Sequence, residues 1–317
     1  MLLKNKTIGI IGLGKMGRGM GERLLERGWR IVVYDKDPRA KRALVRKGAL
    51  GAKTLSDLTS NLPLPRVVWL MVPAPAVEEV LLGKNGISHF LSKGDFVIDG
   101  GNSFYLDSRR RQKKLSLKGI HFVDVGVSGG PKGAREGACL MVGGKKKDFE
   151  RLKALFNDLS AKGGPQFFPG AGAGHFVKMV HNGIEYGMMQ AIAEGFNLLR
   201  KSRYKIDLEK VAEIYSRGSV IESRLIKWLK KAFEKHGQSL RGVSGVVGHT
   251  GEGEWTVKTA KKMGVSVKVI EDAFLFRVRS EKNPSYTGKI LSALREQFGG
   301  HSVRPGGEIG KHASFRS

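Results

Sequence analysis

The sequence is poor in several features that mark particular classes of protein. One cysteine, Cys139, occurs in 317 residues, so a framework of internal disulfides is excluded and a reducing compartment is expected. We expect Cys139 to be a small core residue without a role. The longest apolar stretch, VVWLMVPAPAV, is too short and too interrupted by proline to cross a bilayer. The opening residues, MLLKNKTIGIIGLG, lack the apolar run of a signal peptide. These absences predict a cytoplasmic protein without a membrane partner.

Acidic residues are also scarce, with 29 Asp and Glu against 56 Lys and Arg, which gives a net charge of +27. The basic clusters RRRQKK, KKK, RKSRYK and KWLKK are spread through the chain and do not form a tail. Such an excess is consistent with nucleic-acid binding, with steering of anionic small molecules, or with a lysine-rich solvated surface. Helix-turn-helix, zinc-finger and aromatic-platform signals are missing, so nucleic-acid binding is the least favoured of the three.

The first clear motif is a glycine turn between a strand and a helix. TIGIIGLG is typical of a short buried strand, KMGRGMGERLLERG continues as a helix, and RIVVYDKDP is a second strand. G-x-G-x-x-G alone is a weak signal, but in this setting it predicts dinucleotide binding. The glycines allow a tight turn and the close approach of a pyrophosphate to the positive end of the helix. We predict cofactor contacts at Gly12, Gly14, Met16 and Gly17.

An acidic residue, Asp35, ends the second strand. A carboxylate at this place binds both ribose hydroxyls of NAD and repels the 2′-phosphate of NADP. Lys36 and Arg39 are close in sequence and soften that preference. The sequence therefore favours NAD, with NADP as the alternative.

Further strands are predicted at 66 to 73, 95 to 102, 121 to 130 and 138 to 144, with helical stretches between several of them. This alternation predicts a Rossmann-type, doubly wound α/β sheet. Ligands of such sheets bind outside the carboxyl ends of the strands, where MVPAPAV, DGGNS and VSGGPKG fall. These loops are therefore site candidates, and Val72 and Pro73 in the first of them are candidate cofactor contacts.

After about residue 175 the pattern becomes helical and strand signals are few. We predict a dinucleotide-binding domain over 1–175, an all-α substrate and oligomerisation domain over 176–301, and a loose tail over 302–317. The helices are expected at 175 to 201, 207 to 217, 221 to 236, 255 to 263, 267 to 280 and 284 to 298.

The first of these helices, in GHFVKMVHNGIEYGMMQ, carries a polar stripe. Lys178, His181, Asn182, Glu185 and Tyr186 have the i, i+3, i+4, i+7, i+8 spacing of one helix face, while the other faces are almost wholly apolar. We expect such a helix to be buried. Buried polar groups need partners, and a pocket that holds a polar ligand would supply them.

The chain resembles the decarboxylating 6-phosphogluconate dehydrogenases in their short-chain form, and the resemblance covers nearly its whole length. The segments that carry it are GLGKMG, MVPAPAV, DGGNS, GVSGG, GHFVKMVHNGIEYGMMQ, GEGEWT and LREQFGGH. KMVHNGIEYG is the specific part, because the broader β-hydroxyacid dehydrogenases share the nucleotide motif and the lysine but not the full run. The resemblance implies oxidation of 6-phosphogluconate at carbon 3, loss of carbon dioxide and formation of ribulose 5-phosphate, a reaction of pentose phosphate metabolism or gluconate utilisation.

The resemblance also implies roles for individual residues. Lys178 would be the general base, which needs a neutral amine with a lowered pKa, and Glu185 would protonate carbon 1 of the enediol. No metal is required, because the 3-keto acid is itself the electron sink. His181 and Asn182 would join these two in catalysis. The resemblance also implies that the substrate or the nicotinamide is contacted by Asn102, Ser128, Gly129, Gly130, His181 and Asn182. The phosphate end would be bound by Tyr186, Thr256, Arg277, Arg295 and His301.

One residue departs from the family pattern, and one pair bears on assembly. Glu254 stands where the family commonly has a basic residue before the WT pair, so it either points away or weakens phosphate binding. In long-chain members the pair that corresponds to Arg295 and His301 reaches the neighbouring subunit's site. We therefore expect a homodimer or homotetramer.

Three other functions remain open. A β-hydroxyacid dehydrogenase for a small unphosphorylated acid would need only Lys178, Asn182 and the Ser128 loop. A nucleic-acid-binding protein on an idle fold predicts steeply salt-dependent duplex binding and no NADH formation. A structural scaffold gives no reason for a polar stripe on a buried helix.

Overall fold

The computed structural model describes residues 6–303. The chain divides into two compact units, Met1–Lys178 and Met179–Ser317. From residue 304 onward, the tail predicted over 302–317 lies outside the described residues.

The first unit alternates strands with helices, as the sequence pattern predicts. A short 3₁₀ turn covers Ile87–His89. The strands are β1 (Thr7–Ile11), β2 (Arg30–Tyr34), β3 (Leu50–Gly51), β4 (Val67–Leu70), β5 (Phe96–Asp99), β6 (His121–Ser128), β7 (Cys139–Gly144) and β8 (Gln166–Pro169). The helices are α1 (Lys15–Glu26), α2 (Pro38–Val45), α3 (Leu55–Ser60), α4 (Ala74–Leu82), α5 (Tyr105–Ser116), α6 (Gly130–Glu136) and α7 (Lys146–Leu159).

All eight strands form one sheet in the order β3-β2-β1-β4-β5-β6-β7-β8. The β6–β7 pair is antiparallel, and the other neighbouring pairs are parallel. The first six strands have the order of a doubly wound dinucleotide-binding sheet. The predicted Rossmann-type α/β class is thus confirmed.

The sheet is buried on both faces, because parallel strands are covered by their crossover helices. Successive strand residues point to opposite faces, so Ile10 joins one apolar cluster and Ile11 the other. The first cluster includes Trp69 of β4 and Phe156 of α7, and the second includes Val77 of α4. The strand ends are therefore held at fixed heights along one edge of the sheet.

Helices make up the second unit, and α8 (Ala173–Lys201) begins before its boundary. The others are α9 (Leu208–Tyr215), α10 (Arg224–His236), α11 (Glu252–Lys262), α12 (Lys268–Ser280) and α13 (Tyr286–Gly299). Asp207, Ser223 and Ser285 cap α9, α10 and α13 through side-chain oxygens, which explains where these helices start. The predicted all-α domain is confirmed.

Some local predictions are wrong. β3 and β8 were not predicted; β3 has only two residues, and β8 ends in proline, so neither has a clear period-2 pattern. Helix α11 begins at Glu252 and not at residue 255. Cys139, expected in the core, is exposed as the first residue of β7.

The expectation that α8 is buried is only partly met by the single chain. Met179 and Met189 are buried as predicted, but Ile184 is 51% exposed and Met188 45% exposed. Apolar residues on a helix show that the face needs cover, and they do not show whether the same chain supplies it.

Candidate active site

Two of the three motif glycines at the turn from β1 into α1 have no room for a side chain. Gly12 has a φ of +92°, and a Cβ there would overlap the Met71 carbonyl oxygen. A Cβ on Gly17 would overlap the Gly12 carbonyl oxygen. Around Gly14 nothing lies within 4 Å of the Cβ position, and α1 has neither a side-chain cap nor an acidic residue in its first turn. Open space at the positive end of a helix fits the pyrophosphate of a dinucleotide.

Asp35 follows β2 and reaches back to this turn. Its Oδ2 accepts a hydrogen bond from the Leu13 amide at 2.6 Å, and its Oδ1 accepts one from the Asp37 amide at 2.8 Å. A carboxylate oxygen has two lone pairs, so both oxygens can still accept from a ribose hydroxyl. Both carboxylate oxygens of Asp35 are thus held by backbone amides.

The loop after β5 is fixed by a buried charged network that the sequence analysis missed. Asp99 accepts hydrogen bonds from the Gly101 amide at 3.1 Å, from the Ser103 hydroxyl at 2.9 Å and from the Arg111 guanidinium at 3.3 Å. Asp99 and Arg111 are both buried. Asn102 lies in the middle of this loop and is exposed, so the network holds it at the surface of the sheet edge.

The loop after β4 lies between the glycine turn and the β5 loop. A Cβ on Gly12 would lie 2.8 Å from Val72 Cγ1, and a Cβ on Gly101 would lie 2.8 Å from the Val72 carbonyl oxygen. Pro73 is exposed and precedes α4 as its N-cap. Met16 is partly buried against the core of the sheet. Val72 is thus in contact range of two predicted cofactor loops.

The end of β6 completes the edge. Ser128 is the last residue of β6, and Gly129 and Gly130 turn into α6 with φ of +121° and +62°. Positive φ values of this kind favour glycine. Since β2, β1, β4, β5 and β6 are parallel neighbours, their carboxyl ends lie side by side. The structure therefore brings the predicted site residues of the first unit to one edge.

Lys178 is packed against β6. Its side chain is 9% exposed, and a Cβ on Gly126 would overlap Lys178 Cβ. The start of α8 is joined to the same strand by Asp124, which accepts hydrogen bonds from the Gly172 amide at 2.7 Å and from the His175 amide at 2.9 Å. Asp124 and Gly126 were not singled out from the sequence, although they precede Ser128 at two-residue spacing.

In the second unit the polar stripe continues along α8. His181 Nδ1 lies 3.1 Å from Asn182 Oδ1 and 3.9 Å from Glu185 Oε2. Asn182 is buried, while His181 and Glu185 are partly exposed. The stripe thus contains groups that partner each other and still present polar atoms to solvent.

Tyr186 has a rigid setting. The Arg277 guanidinium carbon lies 3.4 Å from the centroid of its ring, and a Cβ on Gly253 would lie 2.5 Å from Tyr186 Cε2. Burial raises the pKa of the Tyr186 phenol; Glu252 and Glu185 raise it further, and Arg277 opposes them. The phenol is consequently neutral and able to donate a hydrogen bond at neutral pH.

Glu252 is the acidic residue that the sequence analysis missed near this tyrosine. It is buried, and its Oε2 accepts a hydrogen bond from the Thr250 hydroxyl at 2.7 Å. Glu254, which was singled out instead, forms an ion pair with Lys258 at 2.6 Å. The Thr256 hydroxyl is buried 2.9 Å from the Met179 carbonyl oxygen and 2.8 Å from that of Glu252. Thr256 therefore joins α11 to α8.

The last two predicted phosphate contacts lie at the end of α13. Arg295 is buried, and its charge, like that of Arg277, lowers the pKa of the Tyr186 phenol against the effect of burial. His301 packs edge-on against Phe298, with 6.2 Å between ring centroids. Tyr186, Arg277 and Arg295 form a cationic and phenolic group suited to a phosphate.

No group of three or more His, Cys, Asp or Glu side chains within residues 6–303 could hold a metal ion. None of the helices in the same range is long and apolar enough to cross a membrane.

Comparison with known proteins gives consistent similarities. Residues 7–171 match the model of the NAD binding domain of 6-phosphogluconate dehydrogenase, and residues 174–302 match that of its C-terminal domain. The Bacillus subtilis protein YqeC, provisionally named a 6-phosphogluconate dehydrogenase, is 44% identical over 93% of this chain and 98% of its own.

Two further relatives carry more specific names. An NAD(+)-dependent, decarboxylating 6-phosphogluconate dehydrogenase of Haloferax volcanii is 38% identical over 93% of this chain and 98% of its own. The solved Plasmodium falciparum 6-phosphogluconate dehydrogenase, described with NADP+ and with 6-phosphogluconate, has a TM-score of 0.76 and 31% identity. That match covers 87% of this chain and 62% of the Plasmodium chain.

Proposed function

Because the chain belongs to the 6-phosphogluconate dehydrogenase family, we propose that it converts 6-phosphogluconate and NAD into ribulose 5-phosphate, carbon dioxide and NADH. The observation that carries the proposal is the stripe of α8, which combines a buried amine, Lys178, with a carboxylate, Glu185, two turns further on. Oxidation needs a base, and the later protonation needs an acid.

Lys178 takes the proton of the hydroxyl on carbon 3. This role requires a neutral amine, and burial disfavours the charged form of an amine. Bound NAD supplies the acceptor for the hydride of carbon 3. After oxidation, Lys178 returns its proton to the ketone oxygen as carbon dioxide leaves. Glu185 then protonates carbon 1 of the enediol while Lys178 takes back the hydroxyl proton, which leaves the ketone of ribulose 5-phosphate.

The remaining contacts orient the substrate. Asn102, Ser128, Gly129, Gly130, His181 and Asn182 bind its hydroxyl and carboxylate groups. Tyr186 donates a hydrogen bond to the phosphate, and Arg277 and Arg295 supply its positive partners. Thr256 and His301 complete the phosphate end, and Glu254 is kept away by Lys258. The positive charge of the chain favours the approach of so anionic a substrate.

The direct test is an absorbance assay of NADH formation by the full chain. We expect turnover with 6-phosphogluconate and NAD, slower turnover with NADP, and little with small 3-hydroxy acids. Faster turnover of the small acids would instead support the other β-hydroxyacid dehydrogenases. Tight duplex binding without NADH formation would overturn the proposal.

We further propose a cytoplasmic location, which the single cysteine supports.

Cofactor preference is expected to depend on Asp35. Asp35→Asn removes the charge that repels a 2′-phosphate, so the ratio of kcat/KM for NAD to that for NADP should fall by roughly tenfold, the equivalent of about 1.4 kcal/mol. The matched control is Asp37→Asn, which removes a charge two residues further on. Asp37 caps α2 by accepting a hydrogen bond from the Arg39 amide, so this variant should leave the ratio unchanged. An unchanged ratio in Asp35→Asn would exclude the ribose assignment.

We also propose that the enzyme is a homodimer or homotetramer assembled through α8. Ile184, Met188 and Leu198 are 51%, 45% and 74% exposed, and with the exposed Ala191 and Gly195 they repeat every three or four residues. Such a stripe is the pattern by which one helix packs against another.

Met188→Glu combined with Leu198→Glu should give a monomer, because two carboxylates cannot be buried unpaired in an interface. Light scattering after size exclusion would measure the mass. Leu117→Glu is the control, since Leu117 is a highly exposed apolar residue of the first unit. A monomeric wild type, or an unchanged mass in the double variant, would contradict the proposal.

A further inference from the structure

One face of β6 carries three residues that contact the start of α8 or belong to the loop over 128–130, which we call the substrate loop. Asp124, Gly126 and Ser128 are two apart, so they share a face of the sheet. Asp124 contacts the first turn of α8, Gly126 lies under Lys178, and Ser128 ends the strand. The strand therefore meets the helix at defined heights.

Asp124, a residue of β6, caps the N-terminus of α8 with its side chain. Its two oxygens accept from the Gly172 amide at 2.7 Å and from the His175 amide at 2.9 Å. The first amides of a helix have no partner within the helix, and a carboxylate at this positive end is favourable. Asp124 is fully buried. Both hydrogen bonds fix the rotation and the height of the first turn.

Glycines allow the helix to touch the strands directly. A Cβ on Gly174 would overlap the Met141 carbonyl oxygen and lie 2.7 Å from that of Asp124. A Cβ on Gly143 would overlap the Gly174 amide and lie 2.5 Å from Asp124 Oδ2. Gly126 is buried and has no side chain between its strand and Lys178 Cβ. The first two turns of α8 therefore have no freedom to shift toward the sheet.

We propose that Asp124 and Gly126 are positioning residues that set the place of the Lys178 amine relative to Ser128. The inference rests on the proposed function, in which Lys178 is the base. Gly126 and Ser128 are one strand repeat apart, roughly 7 Å at about 3.4 Å per residue. The contact between Gly126 and Lys178 Cβ therefore fixes where the lysine side chain starts, close to the substrate loop.

The chemistry is sensitive to this placement. A general base must lie within roughly 2.6–3.2 Å of the proton that it takes, and a misplacement of about 1 Å costs on the order of 10²-fold in rate. A methyl group on residue 126 would push on Lys178 Cβ itself. Loss of the Asp124 charge and of one acceptor would release the first turn. Both changes should lower kcat more than they alter binding.

The test uses Gly126→Ala and Asp124→Asn in the full chain. Gly126 is not among the glycines with positive φ, so its extended backbone accepts alanine. Gly51→Ala in β3 is the control for a methyl added to the sheet, since it meets only the end of Val45. Asp207→Asn is the control for a helix cap, because Asp207 accepts from the Glu209 and Lys210 amides.

For both test variants we expect kcat to fall by on the order of 10²-fold. KM for 6-phosphogluconate and Kd for NAD should stay within about threefold, a change worth less than 1 kcal/mol. The two controls should keep the wild-type kcat. Wild-type kcat in either folded test variant, or a change in KM alone, would overturn the inference. If one variant does not fold, the other decides, and thermal melting identifies that case.

Failure of the proposed function gives a different result. A wild type that does not oxidise 6-phosphogluconate, or a Lys178→Met variant that still does, would remove the base assignment itself. An inactive Lys178→Met together with fully active Gly126→Ala and Asp124→Asn would leave the function intact and reject only the positioning role.

Discussion

Replacement of Lys178 by methionine is expected to stop the oxidation of 6-phosphogluconate. The rate should fall by at least about 10²–10⁴-fold, the range that a general base contributes. Methionine is unbranched like lysine, so it fills the space against Gly126, but it cannot accept a proton. The glycine turn and Asp35 are unaffected, so NAD affinity should remain close to that of the wild type.

Steady-state NADH formation and a fluorescence titration with NAD would measure the two effects separately. Lys289→Met is a suitable control, because it removes a partly buried lysine of α13 whose amine donates a hydrogen bond to the Leu240 carbonyl oxygen at 3.4 Å. Turnover that survives in Lys178→Met would show that another group takes the proton. Lost NAD affinity would show instead that the substitution had disturbed the fold of the first unit.

The second large effect is expected from Glu185→Gln. Glutamine keeps the shape and the polar contacts near His181 but has no carboxyl proton to deliver to carbon 1. Formation of ribulose 5-phosphate should slow by about 10²-fold or more, the scale of general acid catalysis. Oxidation precedes this step, so one equivalent of NADH should still appear in the first turnover.

Rapid mixing would follow the NADH, and a separate assay would follow ribulose 5-phosphate. Glu194→Gln is the matched control, since Glu194 is an exposed glutamate of the same helix that accepts from Gln190 Nε2 at 2.7 Å. Ribulose 5-phosphate formed at the wild-type rate by Glu185→Gln would remove this residue as the acid. Loss of the first-turnover NADH would place its role before decarboxylation.

The sheet was predictable because its signals are local and repeated. The apolar run TIGII predicts a strand, and the glycine turn after it predicts a dinucleotide ligand. Asp35 directly follows the neighbouring strand, as expected. β3 and β8 were not predictable in the same way. Both are short strands that pair with a neighbour, β3 with β2 and β8 with β7. A two-residue strand has no periodicity of its own.

The stripe of α8 was found because five candidate site residues share one helix face. The residues that support them are scattered in sequence and were missed. Arg111 reaches Asp99 across twelve positions, and Asp124 caps a helix that begins forty-nine residues later. Such long-range polar contacts leave no local pattern. Two-residue spacing of Asp124, Gly126 and Ser128 was the one available signal.

The exposure of Ile184 and Met188 shows a different limit. The apolar pattern of α8 correctly indicated a helix whose faces need cover. It could not tell an internal core from an interface between copies, since both bury the same kinds of side chain. In the same way, the pair of glutamates in GEGEWT gave no reason to choose Glu252, which is buried, over Glu254, which pairs with Lys258.

The stack of Arg277 on Tyr186 has a thermodynamic consequence. With the guanidinium 3.4 Å from the ring centroid and 3% exposed, the arginine has already lost its rotamer freedom during folding. Immobilising a flexible side chain upon association typically costs about 0.5–1.5 kcal/mol. An anion that reaches Arg277 meets a preorganised partner and avoids that entropic cost. Lysine, which lacks a planar head to lie on the ring, would not reproduce this advantage.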